Sequence, residues 1–333
     1  MLNEKQATQI FKYAEEKGVF VSEAMWTRFM PLRTKLSEIL ASHVIGEPTM
    51  LTANLSYNIA WKKRIQEPSL GGGALLDIGV YCLNFASMVF GNDVSDISSM
   101  CTYNANGLDE QENITLRYKN GQMASLSVST LGVSDRSGII YGTKGYIVVD
   151  NINNFESITV YDAAYNKVGF YKKPKQITGY EYEIQSCVRA IKEGWKECPE
   201  MPHAETLKML NMMDFIRKNL GITYPVEASI DNQSYDSETK EYVTNNPVSG
   251  PVTDNPSIED NTEASADVSD SENAVDIQNT EENAESVSSD AITVDKDIDH
   301  SEDIVIGALN QKEEKKAEGD ESLNDQPLDN LWE

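Results

Sequence analysis

The chain has 333 residues and a formal net charge of -26, and this charge is unevenly distributed. Residues 1–227 carry 25 acidic and 23 basic side chains, whereas residues 228–333 carry 29 acidic and 5 basic ones. A nearly neutral first part with only short basic clusters argues against nucleic-acid binding, and no uninterrupted apolar run reaches the roughly 18 residues of a membrane span. The four cysteines form no C-x-x-C pair and the three histidines are scattered, which predicts a reduced, cytoplasmic protein without a metal site.

The acidic segment, residues 228–333, is rich in Asp, Glu, Ser and Asn and contains only three aromatic residues. Such a composition buries too little apolar surface to offset the entropy that folding would cost. The sequence therefore predicts a disordered acidic tail.

The chain opens with an amphipathic helix over residues 4–17, which we expect Asn3 to cap and Gly18 to end. The apolar run 19–21 follows, and it is typical of a strand that is buried on both faces of a parallel sheet. A parallel strand needs neighbours, and no other candidate strand precedes this one. Residues 1–25 are therefore predicted to belong to a larger α/β architecture.

Residues 26–227 alternate between helical and strand patterns. Strands are predicted over 49–58, 137–142, 145–150 and 156–161, and Asn120-Gly121 predicts a hairpin between strands 114–118 and 124–129. A helix is predicted over 31–44, and two later helices have apolar stripes that we expect to pack on the sheet: Ile184, Val188, Ile191 and Trp195 in one, and Met209, Met213, Ile216 and Leu220 in the other. This order predicts an α+β domain with an open, mostly antiparallel sheet and helices on one face.

The most informative stretch is the glycine-led run 71–81, which predicts a turn that leads directly into a helix over 75–90. That helix is apolar on nearly every face, yet Asp77, Tyr81 and Asn84 follow the spacing i, i+4, i+7 and therefore share one face. A buried carboxylate needs a polar partner or water. The polar stripe therefore faces either a polar cavity, which would be a functional site, or a hydrogen-bonded network inside the core.

Four runs of the sequence occur in the same order in a known enzyme family: Glu23–Phe29, Gly72–Tyr81, Gly179–Glu183 and Met201–Thr206. Through these runs, residues 1 to about 227 resemble the glucose-fructose oxidoreductase, inositol 2-dehydrogenase and MocA group of NAD(P)-dependent enzymes. Within that group the likeness is greatest to diol dehydrogenases and to members that resemble D-xylose dehydrogenase.

The resemblance implies an N-terminal Rossmann domain that binds NAD or NADP, and a C-terminal α+β domain that supplies the substrate pocket and a homodimer contact through its sheet. It implies that Tyr81 is the catalytic proton donor or acceptor and that Asp77 orients Tyr81 or the substrate hydroxyl. Trp26 would line the substrate pocket with them, and Arg28 would lie near the cofactor. The implied reaction is hydride transfer at a CH–OH group of a sugar, polyol or diol.

The sequence departs from this family at its start. The family's E-K-P lysine and its glycine fingerprint for the pyrophosphate would both precede Met1, and no such fingerprint occurs in the chain. By this comparison residues 1–25 are a remnant of the Rossmann domain, and residues 26–227 are the substrate and dimerisation domain. We expect no measurable binding of NAD(P) by this chain alone.

Three hypotheses follow from this departure. The chain is the substrate-binding half of a dehydrogenase and is inactive alone, or a separately encoded Rossmann-domain partner completes the enzyme in trans. The alternative is a non-enzymatic dimerising or binding module whose acidic tail recruits a partner.

Overall fold

Eight strands form one open, mixed sheet in the computed structural model, which describes residues 1–228. The strand order is β2-β3-β4-β1-β5-β6-β7-β8; the β1–β4 pair is parallel, and the other neighbouring pairs are antiparallel. The strands are β1 (Pro48–Ser56), β2 (Val94–Tyr103), β3 (Asp109–Tyr118), β4 (Met123–Ser129), β5 (Gly138–Gly142), β6 (Gly145–Asp150), β7 (Ser157–Asp162) and β8 (Lys167–Lys172).

Helices cover one face of this sheet, and the core lies between the two layers. The α-helices are α1 (Glu4–Lys17), α2 (Pro31–Ala41), α3 (Lys63–Gln66), α4 (Val80–Phe90), α5 (Tyr180–Lys192), α6 (His203–Asn219) and α7 (Pro225–Ala228). Alternate strand residues such as Leu51, Ile114 and Leu126 are fully buried against α4 and its neighbours. The predicted α+β architecture is confirmed, whereas the predicted acidic tail lies outside the described residues apart from its first position.

Helix α1 forms as its sequence predicts. The Asn3 side chain accepts a hydrogen bond from the Gln6 amide at 2.8 Å, and Gly18 ends the helix in the left-handed conformation with φ 64°. The helix packs on α6, where the Asp214 carboxylate accepts a hydrogen bond from the Glu4 amide at 2.8 Å. These contacts join the N-terminal segment to the rest of the domain.

The predicted buried strand over residues 19–21 is wrong. The segment has no strand partner, and Val19 is half exposed. The Val21 amide donates instead to the Lys196 carbonyl oxygen at 3.1 Å, in the loop that joins α5 to α6. Three apolar residues cannot pair as a strand unless a sheet edge reaches them, and their sequence carries no information about that edge.

The predicted packing of the α5 stripe on the sheet is also wrong. Its four members, of which Trp195 follows the end of the helix, are 42–59% exposed. The helix instead turns Ser186 and Ala190 inward, toward the short 3₁₀ helix Trp26–Phe29. The small side chains allow this close approach, while the larger apolar side chains remain outside. Amphipathic periodicity shows that a helix has an apolar face but does not show which partner covers it. By contrast, Met209, Met213 and Ile216 of α6 are buried as predicted.

The stretch Pro68–Phe90 is long and apolar enough to cross a membrane by length and composition alone. Its most apolar window is 61% buried inside the protein, however, which is the behaviour of a core helix. Helix α4, the last part of this stretch, contacts β1 and β4 of the sheet and also α6.

Candidate active site

A glycine turn sets the start of the helix that carries the predicted polar stripe. Gly73 has φ +109°, and a Cβ atom there would lie 2.3 Å from Oδ1 of Asp109 on β3. The other oxygen of Asp109 accepts a hydrogen bond from the Leu75 amide at 2.5 Å. The helix then runs as a π-helical turn, Leu75–Gly79, before it continues as α4. Such π-helical turns are frequent at functional sites.

Asp77, Tyr81 and Asn84 line one cavity of about 300 Å³. The opposite wall is formed by α6 and the preceding loop, and Glu23 and Thr206 add further polar groups. Much of the remaining wall is methionine, from Met25, Met201, Met209 and Met213. The shared face predicted for the polar stripe is confirmed. A small cavity with an apolar wall and a few convergent polar groups has the character of a small-molecule site.

Tyr81 is a buried phenol within the polar stripe. Its burial raises the pKa of the phenol to about 12, and the nearby Asp77 carboxylate acts in the same direction. The nearby Trp26 indole lowers this pKa somewhat, but its N–H makes no hydrogen bond. Tyr81 is therefore protonated at neutral pH and can donate a hydrogen bond to a ligand oxygen.

Asp77 is held by an ion pair with Arg64 on the opposite side of the glycine turn. The Asp77 Oδ2 atom lies 3.2 Å from an Arg64 terminal nitrogen, and the Asp77 side chain is 22% exposed. The pair keeps a carboxylate at the cavity wall, where it can accept a hydrogen bond from a ligand hydroxyl.

Trp26 lies beside Tyr81 but is not part of the cavity wall. Its ring stacks on Tyr180 with 4.4 Å between ring centroids, and it is buried. In the structure Trp26 packs behind Tyr81. Its contact with substrate stays a prediction.

Arg28 is buried in a network behind the site. Its Nε donates to Asn84 Oδ1 at 2.6 Å, it donates to Ser87 Oγ at 3.0 Å, and it forms an ion pair with Glu205. Burial lowers the Arg28 pKa while the Glu205 carboxylate opposes this effect. The network turns the Asn84 amide toward Arg28, so one member of the polar stripe meets both the cavity and the core. The predicted contact of Arg28 with a cofactor stays a prediction.

Two acidic residues lie next to the site, and no pattern in the sequence predicts this position for them. Glu23 lines the cavity, and Glu183 on α5 has a buried carboxylate oxygen without a hydrogen-bond partner. Burial raises the pKa of Glu183 to about 7, and the negative charge of Glu23 adds to the shift. Both residues lie inside the runs 23–29 and 179–183, but their pairing depends on tertiary structure.

His203, in contrast, has a structural position. Its ring stacks on Phe11 at 4.0 Å between centroids, and its Nε2 lies 2.8 Å from the Val21 carbonyl oxygen. It therefore holds the N-terminal segment against α6.

A metal ion and a dinucleotide pyrophosphate are two groups that such a site could require. In residues 1–228 no group of three or more His, Cys, Asp or Glu side chains could hold a metal ion. The Gly71–Gly73 turn follows a short 3₁₀ helix and not a strand, so within this part of the chain it does not fit the loop that binds a dinucleotide pyrophosphate.

The chain is similar to known proteins of one enzyme family. The model of the GFO/IDH/MocA C-terminal domain matches residues 34–148. The trans-1,2-dihydrobenzene-1,2-diol dehydrogenase of Xenopus tropicalis is 30% identical over 230 residues, which cover 67% of this chain and 70% of the relative. The enzyme of the same name from Danio rerio is 29% identical over 235 residues, covering 67% and 69%.

Solved structures show the same fold at lower identity. A 3-ketoreductase from Actinomadura kijaniata, in complex with NADP and TDP-benzene, has a TM-score of 0.60 and 20% identity over 66% of this chain and 68% of its own. An aldose-aldose oxidoreductase from Caulobacter crescentus, complexed with glycerol, has a TM-score of 0.59 and 16% identity over 66% and 67%. The chain belongs to the GFO/IDH/MocA family of oxidoreductases.

Proposed function

We propose that this protein is the substrate-binding half of an NAD(P)-dependent oxidoreductase that acts on a CH–OH group of a sugar, polyol or diol. The observation that carries the proposal is the small cavity in which Asp77, Tyr81 and Asn84 converge. Several hydrogen-bonding groups over a short distance suit a ligand with adjacent hydroxyl groups, and the methionine wall suits its carbon skeleton. The diol dehydrogenase relatives support this substrate class.

The proton chemistry of the site divides between two kinds of residue. The Tyr81 phenol stays protonated, so it donates to the substrate oxygen and suits the reduction of a carbonyl group better than the deprotonation of an alcohol. Burial raises the pKa of Glu183 to about 7, and Glu23, whose charge adds to this shift, lines the cavity. We propose this acidic pair as the source of the proton that the reduction of a carbonyl group takes up.

The nicotinamide cofactor is part of the proposal, but the Gly71–Gly73 turn does not fit its pyrophosphate. We therefore propose that a separate nucleotide-binding domain or chain holds the dinucleotide. Titration of the purified protein with NAD+ and NADP+, followed by tryptophan fluorescence, is expected to show no saturable binding. Saturable binding of either dinucleotide by this protein alone would contradict the proposal that a separate domain or chain binds it.

The substrate site is tested by ligand-observed saturation-transfer NMR with a vicinal diol, a linear polyol and an aldose. We expect saturable binding of at least one compound, and at least a tenfold weaker affinity for Asp77→Asn and Tyr81→Phe, because each variant removes one ligand hydrogen bond. Asp93→Asn is the matched control, since Asp93 lies on the surface with its side chain 87% exposed. Equal binding by all three variants would overturn the proposal.

A further inference from the structure

Two of the cysteines lie side by side between α5 and the loop that follows it. The Cys187 and Cys198 sulfur atoms are 3.7 Å apart; Cys198 is fully buried, and Cys187 is partly exposed. We propose that Cys187 and Cys198 form an oxidisable dithiol, a modification site at which a peroxide-class oxidant closes an intramolecular disulfide bond.

The geometry requires only a local adjustment. A disulfide bond needs sulfur atoms about 2 Å apart, so the two thiols must approach by less than 2 Å. The backbone of Cys198 is held by a bridge to Met201, whereas Cys187 lies on the partly exposed side of α5. The cluster around the two thiols contains aromatic residues such as Phe29 and Tyr182, but also Met25, Ala190 and Met201, whose small or flexible side chains can accommodate such a movement.

The chemistry balances with a single peroxide molecule. The more exposed thiol, Cys187, attacks as its thiolate and takes one oxygen atom to become a sulfenic acid, while the peroxide leaves as hydroxide or water. The Cys198 thiol then displaces water from that sulfenic acid and forms the S–S bond. Overall the two thiols lose two electrons and two protons, and hydrogen peroxide is reduced to two water molecules.

The environment sets the rate of this reaction. Burial and the neighbouring Cys198 raise the pKa of the Cys187 thiol, so little thiolate exists at neutral pH. Oxidation is therefore slow at pH 7 and becomes faster as the pH rises.

The disulfide would connect α5 to the loop that holds the N-terminal segment. In that loop Lys196 accepts a hydrogen bond from the Val21 amide and donates through Nζ to the Gly18 carbonyl oxygen at 2.5 Å. The N-terminal segment continues into Glu23 and Met25, which line the cavity. A disulfide bond at this dithiol would thus restrict the movement of the loop that holds Glu23 and Met25 at the cavity.

The test is peptide mapping of the full chain after treatment with hydrogen peroxide at pH 8, without reductant. Trypsin cleaves after Arg189, Lys192 and Lys196, so Cys187 and Cys198 fall in separate peptides that only a disulfide can join. We expect these two peptides to be linked within one chain, with a loss of two hydrogen atoms, and to separate on reduction. Four unlinked cysteines, or a bond that joins other cysteines or two chains, would overturn the proposal.

Two variants provide the comparison. Cys187→Ser is expected to abolish the linked peptide, whereas Cys101→Ser, which alters a half-buried thiol on β2, is expected to leave it unchanged. The same amount of linked peptide in Cys187→Ser as in the unmodified sequence would contradict the assignment. The map of the unmodified sequence decides the question even if a variant fails to fold.

Discussion

Arg28 shows how a charged side chain can be buried behind a binding cavity without instability. Its guanidinium is only 5% exposed, and Asn84, Ser87 and Glu205 satisfy its hydrogen bonds. The Glu205 carboxylate also accepts from Asn92 at 2.7 Å, so both members of the ion pair are tied to further partners. Breaking such a pair leaves one buried charge without compensation, which costs more than the pair itself contributes.

We predict that Glu205→Ala lowers the free energy of unfolding by about 3 to 5 kcal/mol, because Arg28 is then buried without a counter-charge. Glu38→Ala removes the carboxylate of the exposed Lys35–Glu38 pair and is expected to leave stability unchanged. Urea denaturation of the two variants makes the comparison. An equal change in the free energy of unfolding for the two substitutions would show that the Arg28 network stabilises the protein no more than a surface ion pair does.

Glu112 is a second buried charge-bearing group, and neither of its carboxylate oxygens has a hydrogen-bond partner. Burial raises its pKa well above the ordinary 4.5, and the nearby Asp109 adds to the shift. The folded protein therefore keeps this proton while the unfolded chain loses it, so stability falls as the pH rises above about 4.5 toward the folded-state pKa.

We predict that Glu112→Gln reduces this loss, so that the variant gains melting temperature relative to the parent at pH 8 but not at pH 4. Asp109, whose pKa burial also raises, retains a slope of the same sign in the variant. Glu47→Gln, at a side chain that is 75% exposed, is the control. A melting-temperature difference for Glu112→Gln that does not change with pH would refute the assignment.

The turn before α4 is the element on which the site depends. Gly73 adopts a left-handed conformation beside the Asp109 carboxylate, and the same carboxylate caps the first turn of the π-helical segment. Any side chain at this position must displace Asp109 and lose that cap.

We predict that Gly73→Ala destabilises the protein by about 3 kcal/mol, from left-handed strain together with the displaced cap. Gly107→Ala is the matched control, because Gly107 also has a positive φ, +76°, but no atom lies within 4 Å of an added Cβ; its cost is about 1 to 2 kcal/mol. Thermal unfolding of both variants measures the difference. Equal loss of thermal stability in the two variants would show that Asp109 can move aside without destabilising the protein.

Elements whose signal is local could be predicted from the sequence. The cap at Asn3 and the hairpin at Asn120-Gly121 both depend on neighbouring residues, and the structure pairs Ile114 with Leu126 across that hairpin. Strands β2 and β8 could not be recognised in the same way. Strand β2 is an edge strand with few buried positions, and β8 is almost wholly exposed and lysine-rich, so neither alternates clearly.

The candidate site was predicted where its residues share one helix and missed where they do not. Asp77, Tyr81 and Asn84 follow helical spacing, so sequence alone places them on one face. The pairing of Glu23 with Glu183 joins segments about 160 residues apart, and no local pattern encodes it.

At the scale of the molecule, no helix within residues 1–228 covers the second face of the sheet. Met50 and Met123 are register partners on adjacent strands of this face, and each is about 40% exposed. Tyr141 lies next to Met50 on β5. A sheet face of this kind favours association with a second copy, and we propose a homodimer through it.

We predict that the double variant Met50→Glu and Met123→Glu converts a dimer to a monomer, because it places like charges at the centre of the proposed interface. Light scattering coupled to size-exclusion chromatography measures the mass. Val133→Glu, at an 83% exposed position outside the strands, is the control and should remain dimeric. A parent protein that is monomeric at micromolar concentration would contradict the proposal.

The most direct measurement of the central claim uses the methionine methyl groups as reporters. Met25, Met201, Met209 and Met213 line the cavity, whereas Met50, Met100 and Met123 lie on the sheet outside it. In a ¹³C-methyl-methionine spectrum titrated with diols, polyols and aldoses, we expect saturable shifts at the cavity methyl groups and none at the sheet methyl groups. Shifts confined to the sheet methyl groups, or no shift with any of these compounds at millimolar concentration, would contradict the assignment of the cavity as the substrate site.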